Sequence, residues 1–188
     1  EICGYYGALN RGLREIGVDA HFLDMGIDTY QYGSGERRHF LIEWVLHSLG
    51  RFRATRSLSR LNPLRYLWTA TYLLSLFALL GWLLARFDVV VFKSGIGLFD
   101  NGADIKLLKR FGKTVVFFYH GSDSRPPYIN GGYKAYAAEW LADRARTIKR
   151  HLDERERYAD YVVDNPLAAH LHFEKVCASQ LIGNPVDT

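Results

Sequence analysis

The chain of 188 residues is 48% hydrophobic and carries a formal net charge of +4, which suits one folded domain with its own apolar core. This composition excludes an intrinsically disordered or a fibrous protein. The two cysteines, Cys3 and Cys177, lie far apart and have no metal-ligand spacing. They predict neither a disulfide framework nor a zinc site, and they fit a reducing, cytoplasmic setting.

In chain order, the apolar periods predict helices that alternate with strands. The predicted helices cover residues 7–16, 38–49, 66–84, 104–111 and 133–158, and a short one begins at Pro166. The predicted strands cover residues 19–24, 88–93, 114–119, 159–163 and 179–182. Glycines are expected to end three of the helices, at Gly17, Gly50 and Gly112. This alternation predicts a Rossmann-like, doubly wound parallel sheet with helices on both faces.

One such domain is predicted over residues 1–183, and residues 184–188 are expected to begin an interdomain linker. A doubly wound sheet starts with a strand that leads into its first glycine turn. Residues 1–6 are too short and too interrupted by glycine to form that strand. We therefore expect a first strand to precede Glu1.

Positive charge is concentrated in the middle of the chain. From Trp44 to Phe87 there is no Asp or Glu, but there are six arginines: Arg51, Arg53, Arg56, Arg60, Arg65 and Arg86. After the helix expected to end at Gly50, most of them lie in a predicted basic connector. A block of one sign beside apolar sequence attracts nucleic-acid phosphates or an anionic membrane surface, although a solvated arginine-rich face has the same composition.

The most apolar segment, residues 66–84, has 19 residues without a charge. As a helix it would extend about 28 Å, which is long enough to cross a bilayer. A crossing would separate the strands at residues 19–24 and 88–93, which could not then share one sheet. One stripe at helical spacing consists of Trp68, Tyr72, Ser75, Leu79, Trp82 and Arg86. A spanning helix, a helix packed on the sheet and a helix partly sunk in the membrane interface all remain open.

Ligands of open parallel sheets bind beyond the carboxyl ends of the strands. The loops predicted at that edge are residues 3–7, residues 93–97 and the loop that begins at His120. Gly4 and Gly7 precede a predicted helix and would let backbone N–H groups approach a phosphate, although a tight turn explains them equally well. Lys93 and Ser94 follow a strand and face the same cleft, unless Lys93 is an ordinary strand-end lysine.

The third loop concentrates polar groups of different kinds. His120 ends a predicted strand and is followed by Gly121, and an imidazole donates or accepts a hydrogen bond near neutral pH. Asp123 and Arg125 lie on the same loop, where they would orient the imidazole or hold a charged ligand. A nucleophile triad with Ser122 is excluded because the three residues are too close in sequence. A turn whose backbone is capped by Ser122 or Asp123 is the alternative.

Five stretches in this order resemble the amino-terminal domain of GT-B glycosyltransferases, which have two Rossmann-like domains. They are residues 14–17 (Arg-Glu-Ile-Gly), 88–91 (Asp-Val-Val-Val), 116–123 (Val-Phe-Phe-Tyr-His-Gly-Ser-Asp), 159–163 (Ala-Asp-Tyr-Val-Val) and 182–187 (Ile-Gly-Asn-Pro-Val-Asp). The nearest likeness is to the retaining, nucleotide-sugar-dependent group. The most specific stretches are His-Gly-Ser-Asp and Asn-Pro-Val-Asp.

The resemblance implies a hexosyltransferase-type enzyme once a second, nucleotide-sugar-binding domain is joined. It implies that His120 is catalytic and contacts the transferred sugar, and that the donor diphosphate approaches the Gly4 and Gly7 loop. That loop reads Cys-Gly-Tyr-Tyr-Gly, where the family has a double glycine. The candidate donor-binding and acceptor-binding residues are Gly4, Gly7, Lys93, Ser94, Gly121, Asp123 and Arg125. The nucleotide sugar is a substrate, and no metal or other cofactor is implied.

The resemblance also implies a glycan or lipid-linked acceptor and a site at the cytoplasmic face of the membrane. The candidate membrane-surface residues are Arg51, Arg53, Arg56, Arg60 and Arg65. The alternative is a non-catalytic Rossmann-like module that binds nucleic acid through these arginines, although Phe52 is the only aromatic residue among them. A flavodoxin-like α/β domain is the default if the resemblance is accidental.

Overall fold

The computed structural model describes residues 5–23, 39–57, 62–99, 101–119, 124–129, 135–164 and 171–172. The chain divides into two compact units, Glu1–Gly81 with Gly183–Thr188 and Trp82–Ile182. Compact units of this kind also occur within one domain, so a single domain over residues 1–183 stays a prediction. The linker at residues 184–188, the loop at residues 30–36, the helix at Pro166 and the strand at residues 179–182 lie outside the described residues.

The first unit begins with helix α1, Tyr5–Glu15, which ends as predicted at a left-handed Gly17 with φ of 86°. The strand predicted at residues 19–24 is wrong over residues 19–23, which have no regular secondary structure. Local contacts bind the chain there to the helix end instead of to a sheet. The Arg14 side chain donates to the carbonyl of Ala20 at 2.8 Å, and the backbone N–H of Val18 donates to Leu13.

Helix α2, Phe40–Thr55, continues through Gly50, so the predicted end at that glycine is wrong. The backbone of Gly50 is not left-handed, and a methyl group at its position would meet no other atom within 4 Å. The helix instead ends where the Thr55 hydroxyl donates to the carbonyl of Phe52 at 2.8 Å. Arg51 and Arg53 therefore lie on a helix and not in a connector.

Helix α3, Pro63–Arg86, covers the whole apolar segment. In the first unit it packs against α2 through stacked rings of Phe52 and Tyr72, whose centroids lie 5.5 Å apart. Trp68 contacts α2 as well, with Arg51 placed 5.6 Å from the centre of its ring. Within this unit, Trp68, Tyr72 and the buried Leu79 of the predicted stripe thus face inward.

The second unit contains a three-stranded parallel sheet in the order β1-β2-β3, formed by β1 (Val89–Lys93), β2 (Thr114–Phe118) and β3 (Tyr161–Val163). Helix α4, Ala103–Arg110, connects β1 to β2, and helix α5, Ala138–Glu156, precedes β3. A short 3-10 helix, Pro127–Ile129, lies between β2 and α5. The three strands, and α4 with its left-handed Gly112, confirm the sequence predictions to within about two residues. The α/β class and the parallel sheet are thereby established.

One face of the sheet carries the core of this unit. Alternate side chains are buried, and these are Val90, Phe92, Val115, Phe117 and Val162. On the opposite face Val89 and Val91 remain about half exposed, at 54% and 48%. A doubly wound sheet has helices on both faces, and that part of the fold prediction is therefore still a prediction.

Candidate functional site at the carboxyl ends of the strands

The carboxyl ends of the three strands lie at one edge of the sheet. Lys93, the last residue of β1, pairs with Phe118, the last residue of β2. The next backbone N–H groups continue the ladder, because Ser94 donates to Phe118 at 2.8 Å and Tyr119 donates to Val163 at 2.9 Å. The segments that leave β1, β2 and β3 therefore start side by side.

The turn after β1 is tightly constrained. Ser94 and Gly95 are both left-handed, with φ of 54° and 62°. A methyl group at Gly95 would lie 3.0 Å from the hydroxyl oxygen of Tyr119 and 3.2 Å from the ring of Phe117. Glycine is required here both for its backbone conformation and for the close approach to β2.

A buried carboxylate fixes the rest of that turn. Asp104, in the first turn of α4, is fully buried, and its Oδ2 accepts a hydrogen bond from the backbone N–H of Leu98 at 2.5 Å. Gly97 lies directly against this carboxylate, so that any side chain there would clash with it. Oδ1 of Asp104 has no hydrogen-bond partner within the described part of the chain.

A second buried cluster joins the ends of β2 and β3 to α5. His172 contacts two carboxylates, with Nδ1 at 2.5 Å from Glu156 Oε1 and Nε2 at 2.8 Å from Asp164 Oδ2. Ser124 donates its hydroxyl to the same Asp164 oxygen. The ring of Tyr119 lies 4.9 Å from the ring of His172, and the side chains of His172, Glu156 and Asp164 are almost completely buried.

The two carboxylates of this cluster favour the charged form of His172. Burial lowers the pKa of His172, but the hydrogen bonds that its ring donates to Asp164 and Glu156 outweigh burial and raise that pKa to about 9. Burial, and next the negative charge of Glu156, raise the pKa of Tyr119. The imidazole is therefore charged at neutral pH, when Tyr119 is neutral.

These contacts make His172 an anchor and not a base. Its two ring nitrogens both donate, so neither accepts a proton at neutral pH. The Ser124 hydroxyl donates to Asp164 and not to a histidine, which is not the arrangement of a nucleophile triad. The cluster holds α5, the end of β3 and the segment around Ser124 together.

Several predicted site residues lie outside the described residues, namely Gly4, Arg60, His120, Gly121 and Asp123. Gly7 lies inside α1, which begins at Tyr5, so the prediction that it precedes the helix is wrong. Lys93 and Ser94 are at the strand edge, with Lys93 exposed and Ser94 buried. Arg125 follows Ser124 directly and is half-buried.

The sequence predictions missed the residues that form the cluster. Asp164 follows a predicted strand directly, and the rule that selected His120 after β2 would have selected it too. Glu156 lies on a helix rich in charges, where nothing in the sequence distinguishes it. His172 is eight residues from Asp164 and sixteen from Glu156, so no local period connects them.

The apolar helix α3 has an exposed apolar face in the first unit. Its exposed large residues are Leu64, Tyr66, Leu67, Leu73, Leu74 and Phe77. Of the helices in the described ranges, it alone is long and apolar enough to cross a membrane, and 28% of its most apolar window is buried. Arg51, Arg53 and Arg56 of the neighbouring helix end are exposed, and Arg65 is half-buried.

Within the described residues, no group of three or more His, Cys, Asp or Glu side chains is arranged to hold a metal ion. A scan against protein-family models, a search of curated proteins and a search of solved structures each find no match to the chain.

Proposed function

We propose that the chain is the acceptor-side, Rossmann-like domain of a GT-B glycosyltransferase. The enzyme transfers a sugar from a nucleotide-sugar donor to a glycan or lipid-linked acceptor at the cytoplasmic face of the membrane. The observation that carries the proposal is the shared sheet edge, where Lys93 and Ser94 leave β1 next to the segment that leaves β2 toward His120. Ligands of open parallel sheets bind at such an edge.

In this proposal the sheet belongs to a doubly wound domain that is one half of the GT-B architecture, and the cleft forms against a second domain that holds the nucleotide sugar. Substitution at the anomeric carbon is helped by charge stabilisation on the departing diphosphate. Backbone N–H groups near Gly4 and Gly7 approach that diphosphate. His120 contacts the transferred sugar, and Asp123 and Arg125 face the acceptor.

The described residues on either side of the His120 loop, Tyr119 and Ser124, contact the buried cluster. Tyr119, which directly precedes His120, donates its backbone N–H to β3 and lies against the His172 ring. Ser124, four residues after His120, donates to Asp164. These two flanking residues are thus held by buried contacts, and in this proposal their support keeps His120 in a productive geometry.

Membrane association follows from the composition of α2 and α3. The large exposed residues of α3 in the first unit, including Leu74 and Phe77, are apolar or aromatic, and no acidic residue occurs between Trp44 and Phe87. Such a helix lies in the interface of an anionic bilayer, with its apolar face among the acyl chains and arginines at the headgroups. This position suits an enzyme that acts on lipid-linked or surface-glycan acceptors.

The test is sugar transfer by the intact protein, including the second domain that the resemblance implies, from a panel of radiolabelled nucleotide sugars to membrane extracts. We expect the His120→Ala variant to lose on the order of 100-fold in kcat while its circular dichroism spectrum is unchanged. The matched control is His21→Ala, which removes a histidine of the first unit whose ring contacts Asp19. The control should keep full activity.

Two results would contradict the proposal. One is the absence of transfer from every nucleotide sugar in the panel. The other is an unchanged rate in the His120→Ala variant, which would leave that loop as a polar turn. If the protein instead shifts DNA or RNA in a gel and liposomes do not compete, the arginines belong to a nucleic-acid-binding module.

A further inference from the structure

A cavity of about 560 Å³ opens in the second unit, where the turn after β1, the start of α4 and the C-terminal half of α5 meet. Its size lies within the range of about 300–1,000 Å³ that is usual for small-molecule sites. Gly95 and Gly97 contribute backbone to the lining, and Ile105 and Tyr158 contribute apolar surface. A methyl group at Gly95 or Gly97 would come within about 3 Å of neighbouring side chains, so this wall of the cavity is closely packed.

Cations outnumber anions around this cavity. Lys106, Arg155 and Arg157 line it, and the single carboxylate in the lining is that of Glu154. The remaining titratable groups of the lining are His151 and Tyr158. The Lys106 ammonium lies 5.3 Å from the centre of the Tyr158 ring, so that a cation and an aromatic surface adjoin in one wall.

The arginines are available to a ligand. Arg155 and Arg157 are both exposed, and within the described residues neither side chain makes an ion pair. A guanidinium group presents parallel N–H donors that fit two oxygens of a phosphate or carboxylate. Two such groups and an ammonium in one concave site create a positive potential that concentrates anions.

From this arrangement we propose that the cavity binds the phosphoryl group of a small organic phosphate. Arg155 and Arg157 bind the phosphoryl oxygens, with Lys106 at the rim. The sugar or other neutral part of the ligand lies on Tyr158 and Ile105. These residues are different from the Gly4 and Gly7 loop assigned above to the donor diphosphate, and the inference does not depend on glycosyl transfer.

The experiment is isothermal titration of the intact protein with glucose 1-phosphate, with glucose as the uncharged control. We expect glucose 1-phosphate to bind, glucose not to bind, and the affinity to fall as sodium chloride is raised from 50 to about 300 mM. Arg155→Gln and Arg157→Gln should each weaken binding about tenfold, because a hydrogen bond to a charged group contributes about 1.5 kcal/mol or more.

Arg150→Gln is the matched control, because Arg150 is an exposed arginine of the same helix that does not line the cavity. It should leave the affinity unchanged. An equal loss in Arg150→Gln would show a general effect of charge and overturn the assignment. If Arg155→Gln and Arg157→Gln both leave the affinity unchanged, the ligand binds at another site and the assignment is wrong. The absence of binding at millimolar glucose 1-phosphate would also overturn it.

Discussion

The Nδ1 atom of His172 lies 2.5 Å from Oε1 of Glu156, and this contact joins the segment after β3 to helix α5. The other ring nitrogen contacts Asp164 at the end of β3. A buried imidazolium between two carboxylates is more stable in the folded chain than in water. The protonation of His172 and the folding of the second unit are therefore linked.

This linkage predicts a loss of stability at alkaline pH. The pKa of His172 is about 9 in the folded chain and about 6.5 in an unfolded one, so its contribution is complete below pH 6.5 and disappears as the pH rises through 9. A difference of one between the folded and unfolded pKa values corresponds to about 1.36 kcal/mol. The free energy of unfolding should therefore fall by about 3 kcal/mol between pH 6 and pH 9. Urea unfolding at both values measures this change.

The control for this prediction is His172→Gln, which keeps a donor but cannot be charged. Its free energy of unfolding should be lower than that of the wild type at pH 6, and the difference should shrink toward pH 9. If the two proteins respond to pH in parallel, His172 is not the group that causes the change.

A second prediction concerns Tyr119 and Gly95. The Tyr119 hydroxyl is buried near Glu156 but makes no hydrogen bond of normal geometry among the described residues, so Tyr119→Phe should change the free energy of unfolding by no more than about 1 kcal/mol. Gly95→Ala should destabilise it by about 1–2 kcal/mol or more, because φ is positive and the added methyl meets the Tyr119 hydroxyl. Thermal unfolding of both single variants and the double variant tests the contact.

In the double variant the hydroxyl is absent, so Gly95→Ala should cost less than it does alone. The backbone strain and the contact with Phe117 remain, and the rescue is therefore partial. Strictly additive effects of the two substitutions would show that the methyl does not meet Tyr119.

The clash between Gly97 and Asp104 gives a third prediction. Since Asp104 is fully buried and bonded to Leu98, it cannot move away from a methyl group at position 97. Gly97→Ala should lower the free energy of unfolding by about 1–3 kcal/mol. Gly12→Ala, in the interior of α1 with no atom within 4 Å of the new methyl, should instead stabilise the chain by about 0.5–1 kcal/mol. Equal effects of the two substitutions would contradict the close packing at Gly97.

Local sequence patterns predicted the elements whose residue composition is distinctive. Two strands, Val89–Lys93 and Thr114–Phe118, consist mainly of β-branched and aromatic residues, and each is bounded by a turn. This composition is typical of strands, so both could be predicted. Residues 19–23 contain one aromatic residue, Phe22, and no β-branched residue, and the Arg14 side chain binds the carbonyl of Ala20 there. The glycine at position 50 predicts a helix end, but α2 continues beyond it because the helix is stabilised by packing against α3.

The site was harder to predict than the fold. The strand-edge positions of Lys93 and Ser94 followed from the alternation of helices and strands alone. The cluster around His172 depends on contacts between residues that are distant in sequence and belong to different elements. The charge of His172 is stabilised by its contacts with Glu156 and Asp164, which outweigh the cost of burial, and a sequence does not display these contacts.

The exposed face of α3 gives the last prediction, which tests membrane association. Leu74 and Phe77 are 60% and 59% exposed, so replacing both by Glu should leave the folded chain stable. The same replacement removes apolar surface from the bilayer and adds charges that an anionic surface repels, so pelleting with phosphatidylserine vesicles at 50 mM salt should fall at least tenfold. Leu79→Glu is the contrasting variant, because that side chain is fully buried and its replacement should unfold the first unit. Undiminished pelleting of a folded Leu74→Glu, Phe77→Glu protein would mean that this face does not contact the membrane.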